Sequence, residues 1–155
     1  MRQITTDQIT SAVTKLAIDA AYHLGDDVIH ALVRSRETET SDVGRDVLDQ
    51  LIENAGIAAE GRFPMCQDTG LAVVFMELGQ EVKVTGGDLN EAVQEGIRRG
   101  YEEGYLRKSV CHPFSRVNTG DNTPAVLHIK VVPGDRIRLI FAAKGGGSEN
   151  MSRLF

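Results

Sequence analysis

Apolar positions recur at helical spacing through the first sixty residues. Ile9, Val13, Leu16, Ala17 and Ala20 form one stripe, and Thr5 with Gln8 has the spacing of a capping box. A second, shorter helix is predicted after Gly25, with Val28, Ala31 and Leu32 facing inward. A third has Ser41 as its cap, a stripe of Val43, Val47, Leu48, Leu51, Ile52 and Ala55, and Gly56 as its terminator. Such stripes are expected to be core faces. The texture changes at Phe63 and Pro64, after which Leu71 to Leu78 is a nearly continuous apolar run that reads as a buried strand. Val82 and Val84 suggest a second short strand. Gly86 and Gly87 mark a turn, and Asp88 can cap a helix carrying Leu89, Val93, Ile97 and Tyr101. Beyond an aperiodic stretch, Ala125–Val132, the turn Pro133-Gly134-Asp135 and Arg136–Ala143 read as strand, turn and strand. The fold class expected is mixed α/β: a helical N-terminal part followed by a mixed β-sheet with packed helices.

Composition narrows the function classes. A chain of 155 residues has room for one ordinary domain. A net charge of -5 argues against a nucleic-acid binder, which needs a basic surface. The apolar run at Leu71–Met76 is too short to cross a bilayer, and Met1–Thr10 lacks the apolar core of a secretory signal. Two cysteines, Cys66 and Cys111, are too few for a disulfide scaffold or for a metal site made of thiolates alone. The expectation is a soluble, cytoplasmic chain with reduced thiols.

Three segments are too polar and too glycine-rich to be core: Met65–Gly70, Arg107–Pro124 and Lys144–Asn150. Each adjoins an apolar run that can anchor it, and anchored loops are where sites usually sit. The first sets Cys66, Gln67 and Asp68 side by side. A thiolate is a soft ligand suited to iron or zinc, and a neighbouring carboxylate can position a proton or a substrate group. Taken alone, the same residues also read as an inert buried thiol beside an Asx turn. The second holds Arg107, Lys108, Arg116, Asn118, Asp121 and Asn122. Arginine suits the bidentate grip of a carboxylate, but Asn118–Thr123 can equally satisfy itself through side-chain turns. In the third, consecutive glycines expose backbone N–H groups suited to an anion, or form a plain turn. The histidines His23, His30 and His128 have no zinc-like spacing. His112, next to Cys111, is the one within a polar segment.

Pro64-Met65-Cys66-Gln67-Asp68-Thr69-Gly70, Asn118-Thr119-Gly120-Asp121-Asn122-Thr123-Pro124 and Lys144-Gly145-Gly146-Gly147-Ser148-Glu149-Asn150-Met151-Ser152 occur in this order. Together they resemble the iron–sulfur hydro-lyases, class I fumarase and the L(+)-tartrate dehydratase alpha subunit, from about Ile4 onward. The resemblance implies reversible dehydration of a hydroxy-dicarboxylic acid at a [4Fe–4S] cluster held by three cysteines. It implies that Cys66 is one cluster ligand, that Gln67 and Asp68 contact substrate with Asp68 as a catalytic group, and that Arg107 binds a carboxylate. Gly146 would offer its backbone N–H to a carboxylate. Neither Cys111 nor His112 falls on a ligand position.

The family's other two ligand cysteines lie downstream of the KGGGSEN segment, and its base comes from a beta domain or beta subunit. Residues 1–155 are therefore expected to be the N-terminal portion of an alpha domain, with one ligand of three and no activity in isolation. Exposed apolar surface, a beta partner and an oligomeric assembly are expected with it. Two alternatives are a non-catalytic subunit-interaction module of the same family and a small dicarboxylate-binding protein built on Gly145–Gly147.

Overall fold

The computed structural model describes residues 1–61, 63–65 and 70–145. In chain order the elements are β1 (Arg2–Thr5), α1 (Thr6–Tyr22), α2 (Asp26–Thr38), α3 (Asp42–Ala59), β2 (Leu71–Gly79), β3 (Val82–Thr85), α4 (Leu89–Glu103), β4 (Val126–Val132) and β5 (Ile137–Lys144). Helices and mixed sheets coexist, as the expected class requires. The chain divides into two compact units, residues 1–18 with 67–155, and residues 19–66.

In the first unit β1 pairs in parallel with β3, with Ile4 opposite Val84. The apolar spacing around Ile9 does not reveal β1, whose four residues alternate without a turn before the helix. The capping box forms at the junction. The Gln8 N–H donates to Thr5 Oγ1 at 3.2 Å, and the Thr5 N–H donates to Gln8 Oε1 at 2.9 Å. At the start of α4, Asp88 accepts from the Glu91 N–H at 2.9 Å. Val93, Ile97 and Tyr101 of α4 are buried, as are Ile9, Val13 and Ala17 of α1. The two helices meet through small residues. Thr10 Oγ1 donates to the Ala92 carbonyl at 2.9 Å, and Thr14 Oγ1 donates to the Gly96 carbonyl at 3.1 Å.

The second sheet has the order β4-β2-β5, with β4 parallel and β5 antiparallel to β2. The turn at Pro133–Asp135 therefore joins two strands that do not pair. It passes over the end of β2, where the Gly79 N–H donates to the Arg136 carbonyl and the Glu81 N–H to the Gly134 carbonyl. A Cβ on Gly79 would stand 2.5 Å from the Gly134 carbonyl oxygen, so this crossing requires glycine. The apolar run of β2 predicted burial on both faces, but only Ala72, Val74 and Met76 are fully buried. Leu71 and Phe75 on the other face are exposed, and Phe75 stacks on His128 with ring centroids 5.1 Å apart. A continuous apolar run fixes that a strand forms, and the covering of each face depends on what packs there.

In the second unit α2 and α3 are joined by the Arg36–Asp49 pair, with Nε to Oδ1 at 2.8 Å and Nη2 to Oδ2 at 3.1 Å. Ser41 caps α3 as predicted, accepting from the Gly44 N–H. Gly56 does not end α3, which continues to Ala59, so the glycine is carried inside the helix. The inward stripes are only partly realised. No residue of α2 is buried, and Val28 and Ala31 are exposed. On α3 Ala55 is buried, Leu48 and Ile52 are half-buried, and Val43, Val47 and Leu51 are exposed. The apolar stripe of α3 is wider than the face that is covered. His23 lies just past α1, its N–H donating to the Asp19 carbonyl.

Candidate active site

The topology of the second sheet brings the described edges of the three polar segments, Gly70, Pro124 and Lys144, to one end. Leu71, which follows the Cys66 segment, stands opposite Lys144, where the glycine-rich segment begins. Because β4 runs parallel to β2, the Asn118–Pro124 segment leading into it arrives at the same end, with Val126 opposite Val73. Gly70 and Gly145, more than seventy residues apart in the chain, thus flank the sheet end that Pro124 also reaches.

The middle segment is largely self-organised. Asn118 Oδ1 accepts from the Gly120 N–H at 2.7 Å, and its Nδ2 donates to the Lys108 carbonyl at 2.9 Å. Thr119 donates through its N–H and its hydroxyl to the Val110 carbonyl. Asp121 Oδ1 accepts from the Thr123 N–H and hydroxyl, and its Oδ2 accepts from Arg98 Nε at 3.2 Å. Asn122 is fully buried with a left-handed backbone. Its Oδ1 accepts from the N–H groups of Ser109 and Val110, and its Nδ2 donates to the Gly70 carbonyl at 3.3 Å. The polar side chains of this motif therefore hold a scaffold, which is the self-satisfied alternative that its residue types allow.

Charge is distributed accordingly. Burial alone would raise the Asp121 carboxyl, but the Thr123 N–H and hydroxyl together with Arg98 hold it below the usual carboxylate value. Glu95 is held low by Arg99 and then by Arg98. Burial pushes the Tyr101 phenol up, against a hydrogen bond from the Asn122 side chain.

Of the expected site residues, Arg107 is described. It is exposed and leads the segment that Asn118 and Asn122 pin down. Cys66, Gln67, Asp68 and Gly146 lie outside the described residues. Cys111 is an exposed free thiol whose Sγ donates to the Ser109 carbonyl at 3.6 Å. His112 Nδ1 accepts from the Ser115 N–H at 3.3 Å. Among the described residues no three of His, Cys, Asp and Glu gather into a possible cation site. The sequence holds two cysteines, Cys66 and Cys111, one fewer than the three thiolates that the expected cluster would need, so these residues do not by themselves fit a whole cluster. A cavity of about 470 Å³ lined by Arg2, Ile4, Gln8, Arg136, Ile137 and Leu139 sits at the opposite end of β5 from Lys144, away from the three segments. Among the described residues no helix is long and apolar enough to cross a membrane. The role of Asn122 was not visible in the sequence, where it is one of several polar loop residues; its burial and its partners identify it.

Residues 10–155 match the family described as fumarate hydratase (Fumerase). A Methanocaldococcus jannaschii protein, provisionally named L(+)-tartrate dehydratase subunit alpha, is 35% identical over 153 residues, covering 95% of this chain and 54% of that protein. The aerobic class I fumarate hydratase of Escherichia coli K12 is 40% identical over 123 residues, covering 77% of this chain and 22% of the enzyme. The L(+)-tartrate dehydratase subunit alpha of Escherichia coli UTI89 is 27% identical over 150 residues, covering 94% of this chain and 49% of that subunit. This chain thus spans about half the length of the alpha subunits it matches, and about a fifth of the single-chain fumarate hydratase. With a family match over residues 10–155 and a relative 35% identical across 95% of its length, the chain belongs to the fumarate hydratase (Fumerase) family of hydro-lyases.

Proposed function

We propose that residues 1–155 form the N-terminal portion of an alpha chain in a hydro-lyase that interconverts a hydroxy-dicarboxylic acid and its alkene, of fumarate hydratase or tartrate dehydratase type. The observation that carries this reading is the convergence of Gly70, the Asn118–Pro124 segment and Lys144 at one end of the sheet. In this reading Cys66 is one of three thiolate ligands of a [4Fe–4S] cluster, the other two coming from sequence beyond these residues. When bound, such a cluster supplies a Lewis acid for a departing hydroxyl. Arg107 grips one carboxylate through two parallel hydrogen bonds, and the Gly146 N–H serves a second anionic contact. Gln67 and Asp68 orient the substrate, with Asp68 holding a proton in place beside it. A beta subunit or domain completes the site, and the assembly is oligomeric and cytoplasmic.

The test is complementation. The chain, the remaining alpha segment and a beta subunit of tartrate dehydratase type are combined without oxygen, with iron and sulfide, and assayed with fumarate and tartrate. Dehydratase or hydratase activity that needs all three parts is expected. Failure of the chain to assemble with either part overturns the reading. The exposed Val43, Val47 and Leu51 favour a second reading, a subunit-interaction module without chemistry. Stable assembly without activity selects it.

A further inference from the structure

Asn122 is fully buried, and neither polar atom of its side-chain amide lacks a hydrogen-bond partner. Oδ1 accepts from the Ser109 N–H at 2.7 Å and the Val110 N–H at 3.0 Å, and Nδ2 donates to the Gly70 carbonyl at 3.3 Å. The buried Tyr101 hydroxyl takes the remaining contact. An amide supplies two acceptor positions and two donor protons on one planar group, and no other side chain of this length does so. Aspartate keeps the acceptors and loses both donors. Leucine keeps the volume and loses all four bonds. The backbone selects asparagine as well, because its φ of 61° is a left-handed conformation that Asn tolerates and β-branched residues do not.

We propose that Asn122 is a positioning residue that fixes the spacing between the strand end at Gly70 and the segment that starts at Arg107. Gly70 follows Cys66-Gln67-Asp68 in the sequence, and Arg107 is the carboxylate grip of the functional reading above, so the inference rests on that reading. The amide ties the two sides through one group of a few atoms. Asn118 adds a second tie, to the Lys108 carbonyl, on the Arg107 side only. Asn122 joins the two sides.

The test compares the full chain with Asn122→Gly and Asn122→Asp. The glycine variant keeps the left-handed backbone and removes the amide. The aspartate variant keeps the two acceptors and removes the bond to Gly70. Amide hydrogen exchange and backbone shifts are read by NMR, and succinate, a dicarboxylate that cannot be dehydrated, is titrated against the Arg107 amide. In Asn122→Gly the Ser109 and Val110 amides are expected to exchange about tenfold faster, as loss of one hydrogen bond implies. In Asn122→Asp they stay protected while the shifts of Gly70 and Leu71 move. Succinate affinity falls at least severalfold in both variants, with α4 amides unchanged. Unaltered exchange at Ser109 and Val110 in Asn122→Gly, or unaltered Gly70 shifts in Asn122→Asp, overturns the proposal. If Asn122→Gly does not fold, the aspartate variant decides. A wild-type chain whose Arg107 amide ignores succinate counts against carboxylate binding at Arg107 by these residues alone and leaves the exchange pattern to decide on Asn122.

Discussion

A Cβ placed on Gly96 would stand 2.6 Å from Val13 Cβ and 2.9 Å from the Thr10 carbonyl oxygen. At the next turn a Cβ on Gly100 would stand 2.8 Å from Ala17 Cβ. Two glycines spaced by four residues thus let α4 lie against α1 closely enough for Thr10 and Thr14 to donate to its carbonyls. Separations under 3 Å between Cβ atoms and backbone force the helices apart. Gly96→Ala is therefore expected to destabilise the chain by about 1–3 kcal/mol, the cost of overpacking a filled contact, although alanine is the better helix former. Urea denaturation followed by far-UV circular dichroism measures it, and a variant as stable as the wild type contradicts the close contact.

The same contact depends on buried hydroxyls. Thr10 is 5% exposed, and its Oγ1 reaches the Ala92 carbonyl across the interface. Thr10→Val keeps the shape and removes the bond, leaving a helix carbonyl that still has its own N–H partner. A loss of about 1 kcal/mol is expected, within the usual worth of one intramolecular hydrogen bond. Thr10→Ala should cost more, because it also opens a small void. A Thr10→Val variant as stable as the wild type would show that the hydroxyl contributes nothing.

Acid stability should report the scaffold of the middle segment. Asp121 and Glu95 both titrate below their ordinary values when the chain is folded. A carboxyl depressed on folding stabilises above its unfolded pKa and loses that contribution as pH falls through the folded value. Stability should thus be flat from neutrality to about pH 4, the ordinary carboxylate value, and fall below it. Asp121→Asn should flatten part of that fall while lowering stability at neutral pH, since it removes the acceptor of Arg98. Both carboxyls are more than a third exposed, so the effect is modest and shrinks in salt. Denaturation midpoints at several pH values, with and without salt, check the sign. A steeper acid fall in the variant would contradict it.

The elements carrying local signals were legible from the sequence. Thr5 with Gln8, Ser41 and Asp88 are caps whose partners lie three residues away, so the pattern contains the whole interaction. What the sequence withheld was non-local. Nothing near Leu71 indicates that Lys144 and Val126 will flank its strand, and a strand–turn–strand pattern at Val126–Lys144 ordinarily predicts a hairpin. Strand order decides that Gly70, Pro124 and Lys144 share one end. Similarly, Gly96 and Gly100 are unremarkable glycines on a helix until α1 is laid against them. The stripe of α3 misled in the opposite direction, because periodicity shows that a face is apolar and says nothing of what covers it.

That uncovered face has a measurable consequence. Val43 is 72% exposed and Val47 50%, one turn apart on α3. Replacing both with glutamine removes no fully buried contact and introduces a better helix former. Stability of the chain should change by less than about 0.5 kcal/mol per site. Self-association, followed by sedimentation velocity across a concentration series, should decrease. A large loss of stability would mean that these valines are packed, and unchanged association would remove them from any interface.

The two cysteines separate the site from its surroundings. Cys111 is exposed, makes one weak hydrogen bond to the Ser109 carbonyl and lies in the strand bridge to Asn118. Serine there keeps a donor at nearly the same place, so Cys111→Ser should leave both fold and assembly untouched. Cys66 lies four residues before Gly70, whose carbonyl accepts from Asn122 of the middle motif. A serine oxygen is a far poorer ligand for iron than a thiolate. In the complemented assembly Cys66→Ser should therefore abolish activity and weaken the visible cluster absorbance, with circular dichroism and thermal midpoint of the chain unchanged. Cys111→Ser should retain both activity and absorbance. The reverse pattern, with loss of the cluster in Cys111→Ser and its retention in Cys66→Ser, would move the ligand role to the other thiol and sink the assignment of Cys66.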